Sequence, residues 1–459
     1  MTDSNFVRLT ASVLPYPYGK KGSDSLAARL ATATPENNFK IDEDQPYGEI
    51  WMGDHPNGPS RTVKGNKPLA DLIAANPQEY LTSAVYEKFN KDPHLPFLFK
   101  VLSFCKALPL QAHPDKSLAE QLHEQEKRQK GKNERFVDPN HKPEVSVVVS
   151  DHFEGFIGFR PIREIKLFLE EVPELREAVG NEDAVNELLD IEEEAEERVR
   201  GLKAVNMDEF LAKEGGRHRM KALLKTLFWG LFERSHNDIA RLCESLLAKL
   251  YLMGDEALGT LGKEQNLGPM VKKILFAYPQ DVGMFAAVFF TNFVRLKRGE
   301  GIAIPADCIH AYLEGDVIEC MAWSDNMIAC GFGGNDDPTI FTDMLHYEAS
   351  PSKNLELKHH KWGKSTTGKT ELYEIPMPEF NLLNLKLEKD GEEEIVAEGI
   401  AGPCIFLVIG GEVCLEGTDG DDAEERLETG QVVFVKPNVG FRIKAIGGGA
   451  EVWGAFVEA

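Results

Sequence analysis

Three short stretches carry side chains able to hold a metal ion. In residues 108–116, LPLQAHPDK, Gln111 and His113 stand two apart at a predicted strand end, so an amide oxygen and an imidazole leave the same face. In residues 140–150, NHKPEVSVVVS, Pro143 sets the backbone and Glu144 opens a predicted strand, which makes a carboxylate its first inward side chain. In residues 301–321, GIAIPADCIHAYLEGDVIECM, a strand and a proline turn bring His310 to the start of another strand. Gln111, His113, Glu144 and His310 form a nitrogen and oxygen set without thiolate, suited to Zn²⁺ with an open position for substrate or water. Mn²⁺ and Fe²⁺ accept similar donors.

The elements around these residues change texture along the chain. Up to about residue 155, short runs such as YGEIWMG, PFLFKVLSF and EVSVVVS are broken by Gly, Pro and Asn, which predicts strands. From about 161 to 274, helical spacing takes over: Leu224, Leu227, Phe228 and Leu231 fall on one face, and Ile239, Leu242 and Leu246 repeat the pattern. This block predicts a helical insertion, and its acidic run at 190–200 predicts a solvated helix face. Strand texture is expected again beyond about 275, through VGMFAAVFFTNFVRL, GIAIPA and DVIECMAW, and residues 350–459 predict a further Gly-punctuated β-roll or sandwich. The spacing from Gly301 through Pro305 to His310 is similar to the second metal motif of cupin-type jelly rolls.

The composition sets limits on function. The chain has 459 residues, with 51 Lys and Arg against 75 Asp and Glu, a formal charge of −24. Such a balance disfavours nucleic-acid binding, and an anionic ligand would need a local basic pocket against the global field. No run reaches the length of a membrane helix, and no signal peptide is expected. Seven scattered cysteines without a CxxC pair predict free thiols and a cytoplasmic setting.

A series of motifs in order resembles the type I phosphomannose isomerases of fungi and animals: YGKKGSDS (18–25), YGEIWMGDHPNGPS (47–60), LPFLFKVLSF (95–104), LQAHPDKSL (110–118), NHKPE (140–144), FEGFIGFRP (153–161) and HAYLEGDVIECMAWSDN (310–326). The resemblance implies a mainly β fold with an α insertion: two cupin-type jelly-roll domains plus a helical domain. The corresponding division is 1–155 with 275–348 for the metal-binding domain, 156–274 for the helical insertion and 349–459 for the C-terminal jelly roll. It implies one zinc per chain on Gln111, His113, Glu144 and His310, and interconversion of mannose 6-phosphate and fructose 6-phosphate through a cis-enediol. The expected setting is a cytoplasmic monomer that feeds GDP-mannose biosynthesis, with a sugar phosphate rather than a nucleic acid or membrane as partner.

Within the matched motifs Glu319, His141 and Asp325 are candidate proton carriers, and Lys142 and Tyr312 are donors able to hold developing charge. Glu49 and His55 are expected at the pocket floor. The chain departs from the family where Pro109 replaces the usual Ser, Ala329 replaces the usual Arg, and GGNDDPT (333–339) replaces Thr-Pro-Lys. Proline offers neither a hydroxyl nor an N–H, and a methyl group is no substitute for a bidentate guanidinium. Lys100, Lys106, Lys116 and Arg160 are then the basic residues expected to grip a phosphate. The alternatives are a paralogue acting on another sugar or sugar phosphate, and a catalytically silent metal-binding cupin.

Overall fold

PFLFKVLSF folds as the strand Phe97–Phe104, whose eight side chains are all buried, and a strand covered on both faces requires such a near-continuous apolar run. Around it, in the computed structural model, lies an 11-stranded sheet; the structure describes residues 4–128, 135–190, 216–420 and 424–459. The long strand His310–Ala322 is the axis of this sheet. Its first residues pair with Gln111 and with His152–Phe159, and its second half runs between Phe97–Phe104 and Glu144–Val148. Between Tyr312 and Glu314 the register shifts, and Gly315 follows with φ +147°, a conformation L side chains rarely adopt. One extra residue inverts the alternation of side chains. His310 and Tyr312 before the shift, and Glu319 after it, can therefore face one concavity despite their opposite parity.

The two faces of this sheet do different things. Trp51, Lys100, Glu319 and Ser146 are cross-strand neighbours in one row, so polar groups are aligned on the concave face. On the other face Phe97, Phe99, Val101, Val145, Val147, Ile318 and Cys320 join a core with Leu407, Val432, Phe434 and Trp453 of a second, 9-stranded sheet. That second sheet is built mainly from residues after 358, with one exception: Phe6–Leu9, at the start of the chain, pairs with Val432–Val435.

The predicted helical block is present. Gly216–Glu233 buries Leu224, Leu227, Phe228 and Leu231, and His236–Met253 buries Ile239, Leu242, Leu246 and Leu250 after a Ser235 cap on the Asp238 N–H. The acidic run at 190–200 lies, from 191 on, outside the described residues. The strand expected over VGMFAAVFFTNFVRL is corrected in its first half: Gly283–Phe290 is a fully buried helix, and the strand starts at Thr291. A continuous apolar run has no period to separate a buried helix from a buried strand. All seven cysteines are free, and no described helix is long and apolar enough to cross a membrane.

Candidate metal centre and active site

At the concave face His113, Glu144 and His310 converge, all buried, with their ligand atoms within 4.8 Å of one another. His113 Nε2 lies 3.2 Å from Glu144 Oε1, and His310 Nε2 lies 3.4 Å from Glu144 Oε2. Each ring is oriented from behind by a backbone carbonyl: His113 Nδ1 to Asn326 O at 2.8 Å and His310 Nδ1 to Cys308 O at 2.9 Å. A carbonyl only accepts, so the proton belongs on Nδ1 and the lone pair of Nε2 points at the centre. Both Nε2 atoms are buried without a hydrogen-bond partner. Burial pushes the His113 imidazole down to about 4, which keeps it neutral and able to ligate. Gln111 is the ladder partner of His310 and lines the same cavity. Two orphaned imidazole nitrogens around one carboxylate, with an amide beside them, fit a zinc-type ion.

The centre opens into a cavity of about 400 Å³. Glu49, Lys100, Lys142, Glu144, Tyr312, Glu319 and Asp325 line its polar part. Lys100 Nζ sits 3.4 Å from Glu49 and 3.6 Å from Glu319, and 4.3 Å from the centre of the Trp51 ring. Burial opposes its charge, but the Glu49 and Glu319 carboxylates outweigh it and hold Lys100 above its ordinary value. Burial and the charge of Glu144 raise the Glu319 carboxyl to about 8. Ser146 Oγ lies 3.4 Å from Glu319 and 2.9 Å from the Tyr312 hydroxyl, which ties the two candidates together. Lys142 Nζ reaches Glu144 at 3.6 Å and Asp325 at 4.0 Å. Burial works against ionised Asp325, but Lys142 and Lys100 outweigh it and keep its carboxyl below the ordinary value.

The loop that carries Asp325 is fixed by Asp138. Its carboxylate accepts from the Ser324 hydroxyl and the Asp325 N–H at 3.1 and 3.2 Å, while the Asn326 amide donates to the Asp138 and Asn140 carbonyls. One loop thus positions Asp325 and, through the Asn326 carbonyl, His113.

Other expected site residues lie elsewhere. His55 is fully buried behind the lining, packed between Trp51 and Trp323, and its Nδ1 accepts from the Asn57 N–H at 3.2 Å. Asn57 in turn donates to Asp325 at 2.7 Å. His141 is outside the lining, with Nε2 2.7 Å from Glu379 Oε1. Lys116 is also outside it and donates to Asn140 at 2.7 Å, and Lys106 does not line it.

Arg160 is a correction. Its guanidinium is fully buried, donates to the Thr291 and Val288 carbonyls at 3.0 Å each, and stacks 4.7 Å from the Phe168 ring. Those partners occupy the fork, and the phosphate grip expected of Arg160 fails because it serves the junction of helix and strand at 288–291.

Sequence reasoning missed Ser146, Tyr16, Tyr278, Met327 and Phe332 at or beside the cavity. Ser146 had a usable signal, being two residues after Glu144 on a strand and so on the same face. The others come from segments with no local signature.

A half-barrel β sheet whose concave face gathers two histidines, a glutamate and a glutamine, a set able to hold a metal ion, defines a protein of the cupin type. Residues 6–162 match the family described as phosphomannose isomerase type I, catalytic domain. Mannose-6-phosphate isomerases of Schizosaccharomyces pombe and Candida albicans are 36% and 33% identical, over 98% of this chain with 99% of the relative and over 100% of both. The chain belongs to the type I phosphomannose isomerase family. A solved mutant phosphomannose isomerase from Salmonella typhimurium shares its fold, with a TM-score of 0.75 at 23% identity over 99% of this chain and 100% of that one. A mannose 6-phosphate isomerase bound with zinc and yttrium superimposes with a TM-score of 0.74, again at 23% identity and over 99% and 100%.

Proposed function

We propose that this chain is a zinc-dependent aldose-ketose isomerase that interconverts mannose 6-phosphate and fructose 6-phosphate through a cis-enediol, as the names of its relatives imply. The observation that carries the reading is the pair of orphaned Nε2 atoms flanking Glu144, a carboxylate that lines one cavity with the buried Lys100 and Glu319 pair. Gln111, His113, Glu144 and His310 would hold one zinc, which supplies Lewis-acid polarisation of the sugar oxygens.

After ring opening, the proton on the carbon beside the carbonyl moves to the neighbouring carbon. Glu319 is the carrier: a buried carboxylate raised towards neutrality takes a proton and returns it with little penalty either way. Lys100 faces the charge that Glu319 gains and loses, and Tyr312 reaches Glu319 through Ser146. Lys142 is a cation for the developing enediolate, and Asp325 keeps it in place. Glu49, held by the Trp51 indole N–H at 2.6 Å, is a fixed acceptor for a sugar hydroxyl. Residues 156–274 form the inserted unit and 349–459 the C-terminal unit in this reading, and seven free thiols agree with a cytoplasmic setting.

The test is to incubate the purified chain with mannose 6-phosphate and follow fructose 6-phosphate by NMR, with chelator and with added zinc. Conversion that stops with chelator and returns with zinc is expected; no conversion by the zinc-loaded chain would leave the silent metal-binding alternative.

A further inference from the structure

We propose that the cavity takes the free sugar about as well as its 6-phosphate, so that isomerisation of unphosphorylated mannose and fructose is a further activity of this chain. The inference rests on the aldose-ketose isomerase reading and concerns what the far end of that site recognises.

Lys100 and Lys142 are the only cations lining the cavity among the described residues, and four carboxylates, Glu49, Glu144, Glu319 and Asp325, line it with them. Both lysines are already held at 3.4–4.0 Å by pairs of these carboxylates, Lys142 by the metal-site Glu144 itself and Lys100 by Glu319. They belong to the reacting end. A second wall of the cavity is formed by Leu108, Pro109, Tyr278 and Phe332. The Tyr278 and Phe332 rings pack 5.5 Å apart, and the Tyr278 hydroxyl is spent on the Ala107 carbonyl at 2.6 Å. Pro109 has no N–H to give.

Two backbone N–H groups on this wall, those of Phe332 and Gly333, are the kind of donors that cradle an anion. They are taken by the Asp281 carboxylate, at 2.9 and 3.1 Å. A second carboxylate, Asp336, accepts from the N–H of Ala329, the ladder neighbour of Gln111, and is paired on its outer side with the exposed Arg135, which does not line the cavity. A dianion at this wall would meet apolar carbon and the Asp281 carboxylate, in a chain whose formal charge is −24. A neutral hydroxymethyl group pays no such penalty. Each charge-assisted contact to a phosphate is worth roughly tenfold to a hundredfold in affinity, and this wall offers none among the described residues that line it.

The experiment measures kcat/KM of the zinc-loaded chain for mannose and for mannose 6-phosphate. In parallel, calorimetry compares binding of mannitol and mannitol 6-phosphate, which mimic the open chain but cannot react. A preference for the phosphorylated compound below about tenfold in both arms is the expected result. A preference of tenfold or more in either arm overturns the proposal and means that groups beyond this wall grip the phosphate. If neither sugar is turned over, the isomerase reading fails and the further activity with it, and the binding arm still decides by the same threshold whether the cavity distinguishes the two sugars. Failure of mannitol to bind at all overturns it.

Discussion

Glu319 is useful as a proton carrier because it is buried beside a lysine and within the field of Glu144. Only its ionised form is a base, so kcat/KM should rise with pH along a limb whose midpoint lies above the ordinary carboxylate range of ~4.3. Metal loading at Glu144 offsets part of the charge that raises it, and the limb should sit below about 8 in the loaded chain. Glu319→Gln should abolish that limb and lower kcat by about 10²–10⁴-fold, read from pH-rate profiles. His310→Ala should lower zinc content, measured by elemental analysis, and remove isomerase activity while the far-UV circular dichroism stays unchanged; full zinc occupancy with an unchanged rate would refute the ligand assignment. At this scale type and spacing were legible where they were local: His113, two residues from Gln111, and Glu144, at a strand start, lie beside His310 in the structure. It failed for Arg160, because a charged residue in a matched motif looks the same whether it faces a ligand or caps two carbonyls in a core.

Between residues and the whole lie the joints. Arg160 seals one, where the helix Gly283–Phe290 turns into the strand Thr291–Lys297. Arg160→Met should leave two buried carbonyls short of a donor and cost about 3 kcal/mol in chemical denaturation, with KM unchanged. A second joint is held by Glu394, whose buried carboxylate accepts from the N–H groups of Thr366, Thr367 and Lys369 at 3.1–3.2 Å and from the hydroxyls of Ser365 and Thr370. Burial works to raise this carboxyl, but the donors outweigh it and hold it below its ordinary value. A depressed group stabilises the fold above its unfolded pKa of ~4.3, and that contribution fades as pH falls through the folded value. Glu394→Gln should therefore cost about 1.5–3 kcal/mol near pH 7, with the gap to the parent protein closing in acid. The helices around Leu224–Leu231 and Ile239–Leu246 were visible in the sequence because one face is apolar and the other is not. Gly283–Phe290 was not, since it is apolar all round and wholly enclosed.

Across the whole molecule, the two sheets share one apolar core behind the catalytic face, and Phe6–Leu9 pairs with Val432–Val435 in the sheet otherwise built from the end of the chain. Removing residues 1–10 should leave Val432–Val435 as an open sheet edge. The truncated chain should melt at lower temperature and scatter light on heating, and a matching Tm with no aggregation would show the strand to be dispensable. Nothing in the local pattern of residues 6–9 announces this partner, because a strand's alternation specifies a face and not which distant strand will meet it. The pairing also sets a timetable for synthesis. The strand Phe6–Leu9 must wait for residues made more than 400 positions later, an interval of roughly 20–90 s at ~5–20 residues per second. Throughout that interval Phe6, buried in the finished protein in a cluster otherwise built from residues 362–456, has no native place to go. A newborn molecule thus depends on whatever shields Phe6 until Val432–Val435 has been made.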